Sequence, residues 1–196
     1  NRALGFEVFR VILTGDDWPM PDRKKGKIYS WADESSSPIS SWEDFARYPW
    51  PQVKNIDLSP LDWYEKHLPD DMAITHVVYL GEQVRELFGF NNFLLFMYDN
   101  PALVDAVIEK VGNYYLKFTE ILASYKVILA IYGGDDFGYK TSTILSPEVI
   151  KKKFLPEPWP PPGRVGIHFA TSPVISLGFA KSASTRSPIT IAIKSM

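Results

Sequence analysis

The chain has 196 residues, of which 45% are hydrophobic and 14% aromatic, a composition typical of a globular protein with one packed core. The formal net charge is −2, with no basic stripe, so neither nucleic acid nor an anionic membrane is expected as a partner. The sequence contains no cysteine, which excludes disulfides and cysteine-ligated metal ions and fits a cytoplasmic location. It also contains no signal peptide and no apolar run of about 18 or more residues, so we predict no transmembrane helix.

The first third of the chain predicts one strand and two short helices. Residues 5–14 have the composition of a strand, and turn-rich and Ser/Pro-rich loops follow them. Ser41, with Asp44 three residues later, has nearly the spacing of a capping box and marks a helix start. After the break at "YPWP", Pro60 opens a short helix over residues 60–67.

The middle of the chain predicts a strand and two helices. Residues 71–81 indicate a buried strand, and residues 82–89 a short helix that ends at a glycine. Residues 101–123 form the clearest element, a long helix with Asp99 or Asn100 as its cap. The apolar residues that recur there at helical spacing are Leu103, Val104, Val107, Ile108, Val111, Tyr115, Phe118 and Leu122.

A second strand and helix follow this long helix. Residues 127–132 are an apolar run that stops at "GGDD", which indicates a buried strand. Ser146 as N-cap and Pro147 at the first helical position predict the next helix. Strands that alternate with helices in this way predict an α/β fold, with parallel strands covered by helices.

The two acids after this strand are the candidate functional residues. Loops at the carboxyl ends of parallel strands carry the reactive groups of α/β folds, and Asp135 and Asp136 stand there. Successive residues of an extended segment point to opposite faces, so we expect one of the two to face a site. The flanking glycines permit a sharp turn and close approach of a ligand. The alternative is that one aspartate caps the following turn and the other is solvated.

Histidine and aromatic residues give weaker signals. His67, His76 and His168 lack metal-ligand spacing, and no Ser-His-Asp arrangement or phosphate-binding glycine loop is visible. His76 lies inside an apolar strand, which favours a core histidine. The stretches "WPMP", "YPWP" and "LDWY" are compatible with a sugar site, but burial against loops is the favoured interpretation.

The composition changes at Pro158. Residues 158–196 contain no Asp or Glu, although the whole chain has 23 acids, and they show no clear amphipathic helix. Residues 189–193, "ITIAI", alternate like a short strand. One explanation is a reading-frame shift in the source sequence, which predicts a tail with few buried apolar contacts. The other is a genuinely divergent C-terminal segment.

Three stretches of the chain resemble one enzyme superfamily. They are "SPISSWEDFARYPWP" (37–51), "FMYDNPALVDAVIEKVGNYY" (96–115) and "GDDFGYKTSTILSPEVIKKKFLP" (134–156). In this order they resemble the uroporphyrinogen decarboxylase superfamily, which includes heme-pathway decarboxylases and corrinoid-dependent methyltransferases. The resemblance covers roughly residues 28–157.

The resemblance implies a (β/α)8 barrel whose site lies at the carboxyl ends of the strands. A complete barrel usually needs about 250 residues, and the chain starts without an initiator Met. We therefore expect an interior piece, with residues 1–157 as a partial barrel domain and residues 158–196 as an atypical tail.

The implied substrate is a tetrapyrrole or a corrinoid-linked group, and the implied partner is that small molecule or a corrinoid protein. The implied reaction is porphyrinogen decarboxylation or corrinoid-dependent methyl transfer. The "GDD.G.K" and "WEDF..YPWP" forms favour methyl transfer, because they resemble the methyltransferase-like and uncharacterised branch.

The resemblance also implies site residues. Asp135 matches the acid of the decarboxylase motif, and Asp136 stands where those enzymes have a substrate-contacting serine. An aspartate facing a polycarboxylate costs binding unless a cation intervenes, which argues against uroporphyrinogen decarboxylation itself. The predicted catalytic residues are Asp135 and Asp136, and the predicted substrate-binding residues are Gly134, Gly138, Tyr139 and Lys140.

The methyltransferase branch binds zinc through a His-x-Cys pair and a further Cys, whereas this chain offers His168 without any Cys. We therefore predict no metal ligand within the chain, and assign zinc and a corrinoid partner to a full-length parent. One alternative is a carbohydrate-active barrel that uses a carboxylate pair. Another is a non-catalytic remnant.

Overall fold

The computed structural model describes residues 8–11, 13, 18–19, 37–138 and 141–155, and the backbone of three further strands at 167–171, 175–178 and 192–194. The described residues form six strands in one sheet, in chain order. The strands are β1 (Val8–Arg10), β2 (Ala73–Val78), β3 (Ile128–Gly133), β4 (Ile167–Thr171), β5 (Ile175–Gly178) and β6 (Ala192–Lys194). Strands β1 to β4 pair in parallel, and β4, β5 and β6 pair antiparallel.

Helices connect the parallel strands, as the sequence predicts. The described helices are α1 (Trp42–Arg47), α2 (Ser59–His67), α3 (Leu80–Phe88), α4 (Phe90–Asp99), α5 (Pro101–Ser124) and α6 (Pro147–Phe154), with a 3-10 helix at Val53–Asn55. Parallel neighbours need a crossover, and α1 and α2 supply the one from β1 to β2, while α3 to α5 supply the one from β2 to β3. The mixed α/β prediction is therefore confirmed.

Two of the predicted helix caps are confirmed with their side-chain hydrogen bonds, and the third is confirmed in position only. The Asp44 N–H donates to Ser41 Oγ over 3.1 Å, and the Val149 N–H donates to Ser146 Oγ over 3.3 Å. Asn100 stands at the N-cap position of α5, but in the described structure its side chain makes no capping hydrogen bond. The reason is the preceding helix, because α4 runs to Asp99 and leaves Asn100 as a single-residue link. Its backbone carbonyl accepts from the Leu103 N–H instead.

Helix α4 has no counterpart in the sequence predictions. It has only 10 residues, "FNNFLLFMYD", which is shorter than the window of about 11–18 residues over which a helical period is recognised. Gly89, at φ 72, separates it from α3 and confirms the predicted end of that helix. In α4, Phe93 is buried, whereas Leu95 and Tyr98 are exposed.

The long predicted helix is confirmed as α5, which starts at Pro101 and ends at Ser124. Four residues that were expected to be buried, Leu103, Val107, Val111 and Phe118, have 0% exposed surface. The helix contacts α3, α4 and β3, so its apolar stripe is covered by a helix layer as well as by the sheet. Within the described residues, no helix has both the length and the apolar character needed to cross a membrane.

The atypical tail contributes backbone to the sheet. Strand β4 continues the parallel series beside β3, with Ile131 opposite Ile167, and β6 overlaps the predicted strand at 189–193. Side chains of residues 156–196 lie outside the described residues. The predicted scarcity of buried apolar contacts in the tail, and with it the frame-shift explanation, stays a prediction.

Candidate functional site

The carboxyl ends of β1, β2 and β3 bring polar side chains to one edge of the sheet. Arg10 ends β1, Tyr79 follows β2, and the "GDD" loop follows β3. Parallel pairing places these ends together. Arg10 Nη1 donates to the Tyr79 hydroxyl over 3.4 Å, and the guanidinium carbon lies 5.9 Å from the Tyr79 ring centroid. A cation and an aromatic ring therefore stand next to each other where α/β folds bind ligands.

Asp135 is buried at the start of α3, with 1% of its surface exposed. Its Oδ1 accepts a hydrogen bond of 3.0 Å from the Glu82 N–H, and the Gly81 N–H also interacts with this carboxylate. These are amides of the first turn of α3, which have no partner inside the helix. The loop after β3 thus supplies a cap for α3, a helix distant in sequence.

Burial raises the pKa of the Asp135 carboxyl to about 6. The Glu82 and Gly81 amides and the Arg85 charge favour the ionised form, but they only partly offset the desolvation and the nearby Glu82 charge. The second carboxyl oxygen, Oδ2, is buried and has no hydrogen-bond partner among the described residues, and neither has Gln83 Nε2. Asp135 can therefore take up or release a proton close to neutral pH.

Asp136 points away from the interior and is exposed. Its Oδ1 accepts a hydrogen bond of 2.7 Å from the Gly138 N–H, which closes the turn after the strand. Its backbone carbonyl accepts from Arg85 Nη1 over 3.3 Å. The two aspartates thus lie on opposite sides, as the extended geometry predicts, and the turn-capping alternative applies to Asp136.

The predicted binding residues have different outcomes. Gly138 belongs to the turn and pairs with Thr143 in an isolated bridge. Tyr139 and Lys140 lie outside the described residues. Gly134 was expected to admit a ligand, but it packs under protein side chains. A Cβ there would meet Tyr79 Cε1 at 2.4 Å and Val77 Cγ1 at 2.7 Å.

Gly134→Ala is expected to destabilise the fold by about 2 kcal/mol, because the added methyl group overlaps Tyr79 and Val77 in a packed region. The measurement is the free energy of unfolding from a urea titration. Gly112→Ala in α5 is the matched control, because among the described residues nothing lies within 4 Å of its Cβ position. Alanine is there expected to stabilise the helix by up to about 1 kcal/mol. Equal unfolding energies for the two variants would contradict the packing assigned to Gly134.

Sequence reasoning missed several residues of this edge. Arg10 and Tyr79 stand at strand ends, so the rule that singled out the aspartates also applied to them. Glu82 and Arg85 come from the first turns of α3, where Arg85 Nη2 lies 4.0 Å from Glu82 Oε1. Burial raises the pKa of Glu82, and the Arg85 charge opposes that rise.

A cleft also lies between α5 and α6. Neither Asp135 nor Asp136 lines it, so the expectation that one of them faces the largest cleft stays a prediction. Across the described part of the chain, no three His, Asp or Glu side chains come together as a metal ion would need.

His76 and two of the three aromatic stretches are buried, as expected, whereas the third aromatic stretch has an exposed tryptophan. His76 is buried and meets Phe118 edge-on at 5.1 Å, which confirms a core histidine. Trp18 and Tyr48 are buried in edge-to-face contact with Trp50, which confirms burial for "WPMP" and "YPWP". Trp63 of "LDWY" is different, because it is 55% exposed and stacks on His67.

Comparisons with protein-family models, with curated proteins and with solved structures give no match to this chain. The functional conclusion therefore depends on the edge geometry and on the motif resemblance.

Proposed function

We propose that the chain is a partial (β/α)8 barrel from an enzyme of the uroporphyrinogen decarboxylase superfamily, acting on a tetrapyrrole or corrinoid-linked substrate. The parallel order of β1 to β4 with intervening helices is consistent with such a barrel. The three resembling stretches support the superfamily. The "GDD" loop form favours corrinoid-dependent methyl transfer over porphyrinogen decarboxylation.

The Arg10–Tyr79 pair is the observation that carries this proposal. A tetrapyrrole is a flat macrocycle with carboxylate or amide groups around its rim. A guanidinium can bind a rim carboxylate through two hydrogen bonds or donate to an amide oxygen, and an aromatic face can pack on the macrocycle. Arg10 is exposed at the end of β1, with Tyr79 beside it.

Arginine side chains near the aspartates reduce the repulsion between an aspartate carboxylate and a carboxylate of the substrate. The Arg85 guanidinium bonds to the Asp136 backbone, and Asp136 directs its carboxylate to the Gly138 amide. A rim carboxylate of the substrate can therefore approach an edge that carries Arg10 and Arg85 rather than a bare aspartate. In this assignment Asp136 shapes the loop. Asp135 is a positioning residue, because it fixes the first turn of α3 and with it Glu82 and Arg85.

The carbohydrate alternative is less well supported by the geometry. Glycoside hydrolysis needs two carboxyl groups, about 5–9.5 Å apart, on either side of a sugar. Asp135 is buried under the start of α3, and the Asp136 carboxylate is held by the turn. The remnant alternative predicts no cooperative thermal unfolding, so a single cooperative transition would exclude it.

A ligand panel tests the proposal. The chain is titrated with a porphyrin carrying rim carboxylates, with cobalamin and with an oligosaccharide, and binding is followed by quenching of tryptophan fluorescence. We expect one of the two tetrapyrroles to bind, and Arg10→Gln to weaken that binding about tenfold, because a charged hydrogen bond is lost. Binding of the porphyrin would indicate the decarboxylase branch, and binding of cobalamin would indicate the methyltransferase branch.

Arg47→Gln is the matched control for this experiment. Arg47 lies on α1 with 75% of its side chain exposed and pairs with Glu43, so its loss should leave binding unchanged. Equal losses of ligand affinity in the Arg10 and Arg47 variants would contradict binding at the sheet edge that carries Arg10 and Tyr79. Binding of the oligosaccharide alone would favour the carbohydrate alternative.

A further inference from the structure

The cleft between α5 and α6 has the dimensions of a small-molecule site, with a volume of about 390 Å³. Apolar side chains line part of it, namely Leu80, Ile108 and Phe154. Leu80 and Phe154 are themselves buried, with 6% and 1% of their surface exposed. Ile108 is half-buried and presents most of the apolar surface that an occupant can contact, and Leu80 and Phe154 lie behind it.

Gly112 keeps one wall of this cleft open. It lies in the interior of the 24-residue helix α5, where glycine is among the least favourable residues. Its backbone needs no positive φ, and among the described residues nothing lies within 4 Å of its Cβ position. Neither backbone conformation nor packing in the described structure therefore calls for glycine. A side chain at this position would occupy the cleft instead.

The two rims of the cleft carry opposite charges. Asp105 and Glu109, one turn apart on α5, form an acidic side, and Lys152 and Lys153 on α6 form a basic side. Lys153 Nζ pairs with Asp105 Oδ1 across the cleft. Within the described residues, Glu109 and Lys152 have no ion pair or hydrogen bond, so one acid and one base are left over.

We propose that this cleft binds a free amino acid with a large apolar side chain. The ammonium group of such a zwitterion pairs with Glu109, its carboxylate pairs with Lys152, and its side chain packs on Leu80, Ile108 and Phe154. A ligand with a single charge would leave one rim residue without a partner, and a ligand without an apolar group would leave the apolar surface uncovered. The proposal is independent of the tetrapyrrole site.

Occupancy would act close to the Asp135 loop. Phe154 contacts Phe137, two residues after Asp135, with their ring centroids 5.1 Å apart. Leu80 is the first residue of α3, the helix that Asp135 caps. A ligand in the cleft therefore contacts α3 directly through Leu80, and the Asp135 loop indirectly through Phe154 and Phe137.

Isothermal titration calorimetry of the whole chain tests the chemical class. The probes are L-phenylalanine and L-leucine. Three analogues each lack one feature: 3-phenylpropionate lacks the amine, phenethylamine lacks the carboxylate, and glycine lacks the apolar side chain. We expect the two amino acids to bind and each reduced analogue to bind at least about tenfold more weakly. No heat from either amino acid at millimolar concentration overturns the proposal, and so does equal binding of 3-phenylpropionate.

Variants then test the location. Lys152→Gln and Glu109→Gln should each weaken the binding of L-phenylalanine about tenfold. The control variants Lys151→Gln and Glu120→Gln lie on the same helices but outside the cleft, and they should leave binding unchanged. Gly112→Leu should abolish binding with the helix content unchanged by circular dichroism, since leucine favours helix. If that variant fails to fold, the two rim variants decide. Binding that survives in both rim variants contradicts the site.

Discussion

Phe118→Ala is expected to lower the free energy of unfolding by about 3–5 kcal/mol. Phe118 has 0% exposed surface on α5 and lies where that helix meets the sheet. Its ring meets the His76 ring of β2 edge-on at 5.1 Å and lies 6.3 Å from the Tyr114 ring. Removing it leaves a cavity between two layers that cannot collapse easily, and the loss is a large fraction of a typical domain stability of about 5–15 kcal/mol.

Chemical denaturation followed by circular dichroism measures this loss. Leu95→Ala on α4 is the control, because Leu95 is 58% exposed and its truncation should change stability by no more than about 0.5 kcal/mol. A loss below about 1 kcal/mol for Phe118→Ala would mean that α5 is not packed against the sheet as described.

Elements with one clear period were predictable, and elements without one were not. Helix α5 has an apolar stripe over 24 residues, its bounds were predicted to within one residue, and of the predicted stripe only Ile108 is not fully buried. Helix α4 has only 10 residues, so its sequence offers too short a window in which to recognise a helical period. Strand β1 is described over Val8–Arg10, shorter than the predicted 5–14, part of which lies outside the described residues.

The candidate site was predictable in position but not in contacts. The sequence places Asp135 at a strand end, and that follows from the apolar run before it. The helix that Asp135 caps begins at Leu80, more than fifty residues earlier, and only the pairing of β2 with β3 brings the two together. The Arg10–Tyr79 contact depends likewise on β1 lying beside β2, with Arg10 opposite Thr75. Local sequence patterns carry no information about such neighbours.

The contributions of two buried residues, Asp135 and His76, to the pH dependence of the free energy of unfolding are expected to cancel. Burial raises the pKa of Asp135 from 3.8 to about 6, so the folded state holds this proton more tightly than the unfolded chain. Its contribution is full below pH 3.8 and is lost as the pH rises through about 6. Burial, assisted by the Arg10 charge and opposed by a Val11 backbone hydrogen bond, lowers the pKa of His76 from 6.5 to about 4. Its contribution is full above pH 6.5 and is lost as the pH falls through about 4.

The two effects are similar in size. At about 1.4 kcal/mol per pKa unit, each shift corresponds to about 3 kcal/mol, with opposite sign in nearly the same pH range. The wild-type free energy of unfolding should therefore vary by only about 1 kcal/mol between roughly pH 4 and 6.5. Single variants should reveal the hidden slopes.

Asp135→Asn keeps an oxygen that can accept from the Glu82 amide but removes the acid. Its stability should fall by about 3 kcal/mol between pH 6.5 and 4, because the His76 term is then unopposed. His76→Gln should show the reverse, with stability falling by about 3 kcal/mol as the pH rises from 4 to 6.5, because the Asp135 term is left alone. Urea midpoints measured at half-unit steps of pH give both slopes. The double variant should again be nearly flat, and parallel pH profiles for the wild type and both single variants would show that neither group titrates as its burial requires.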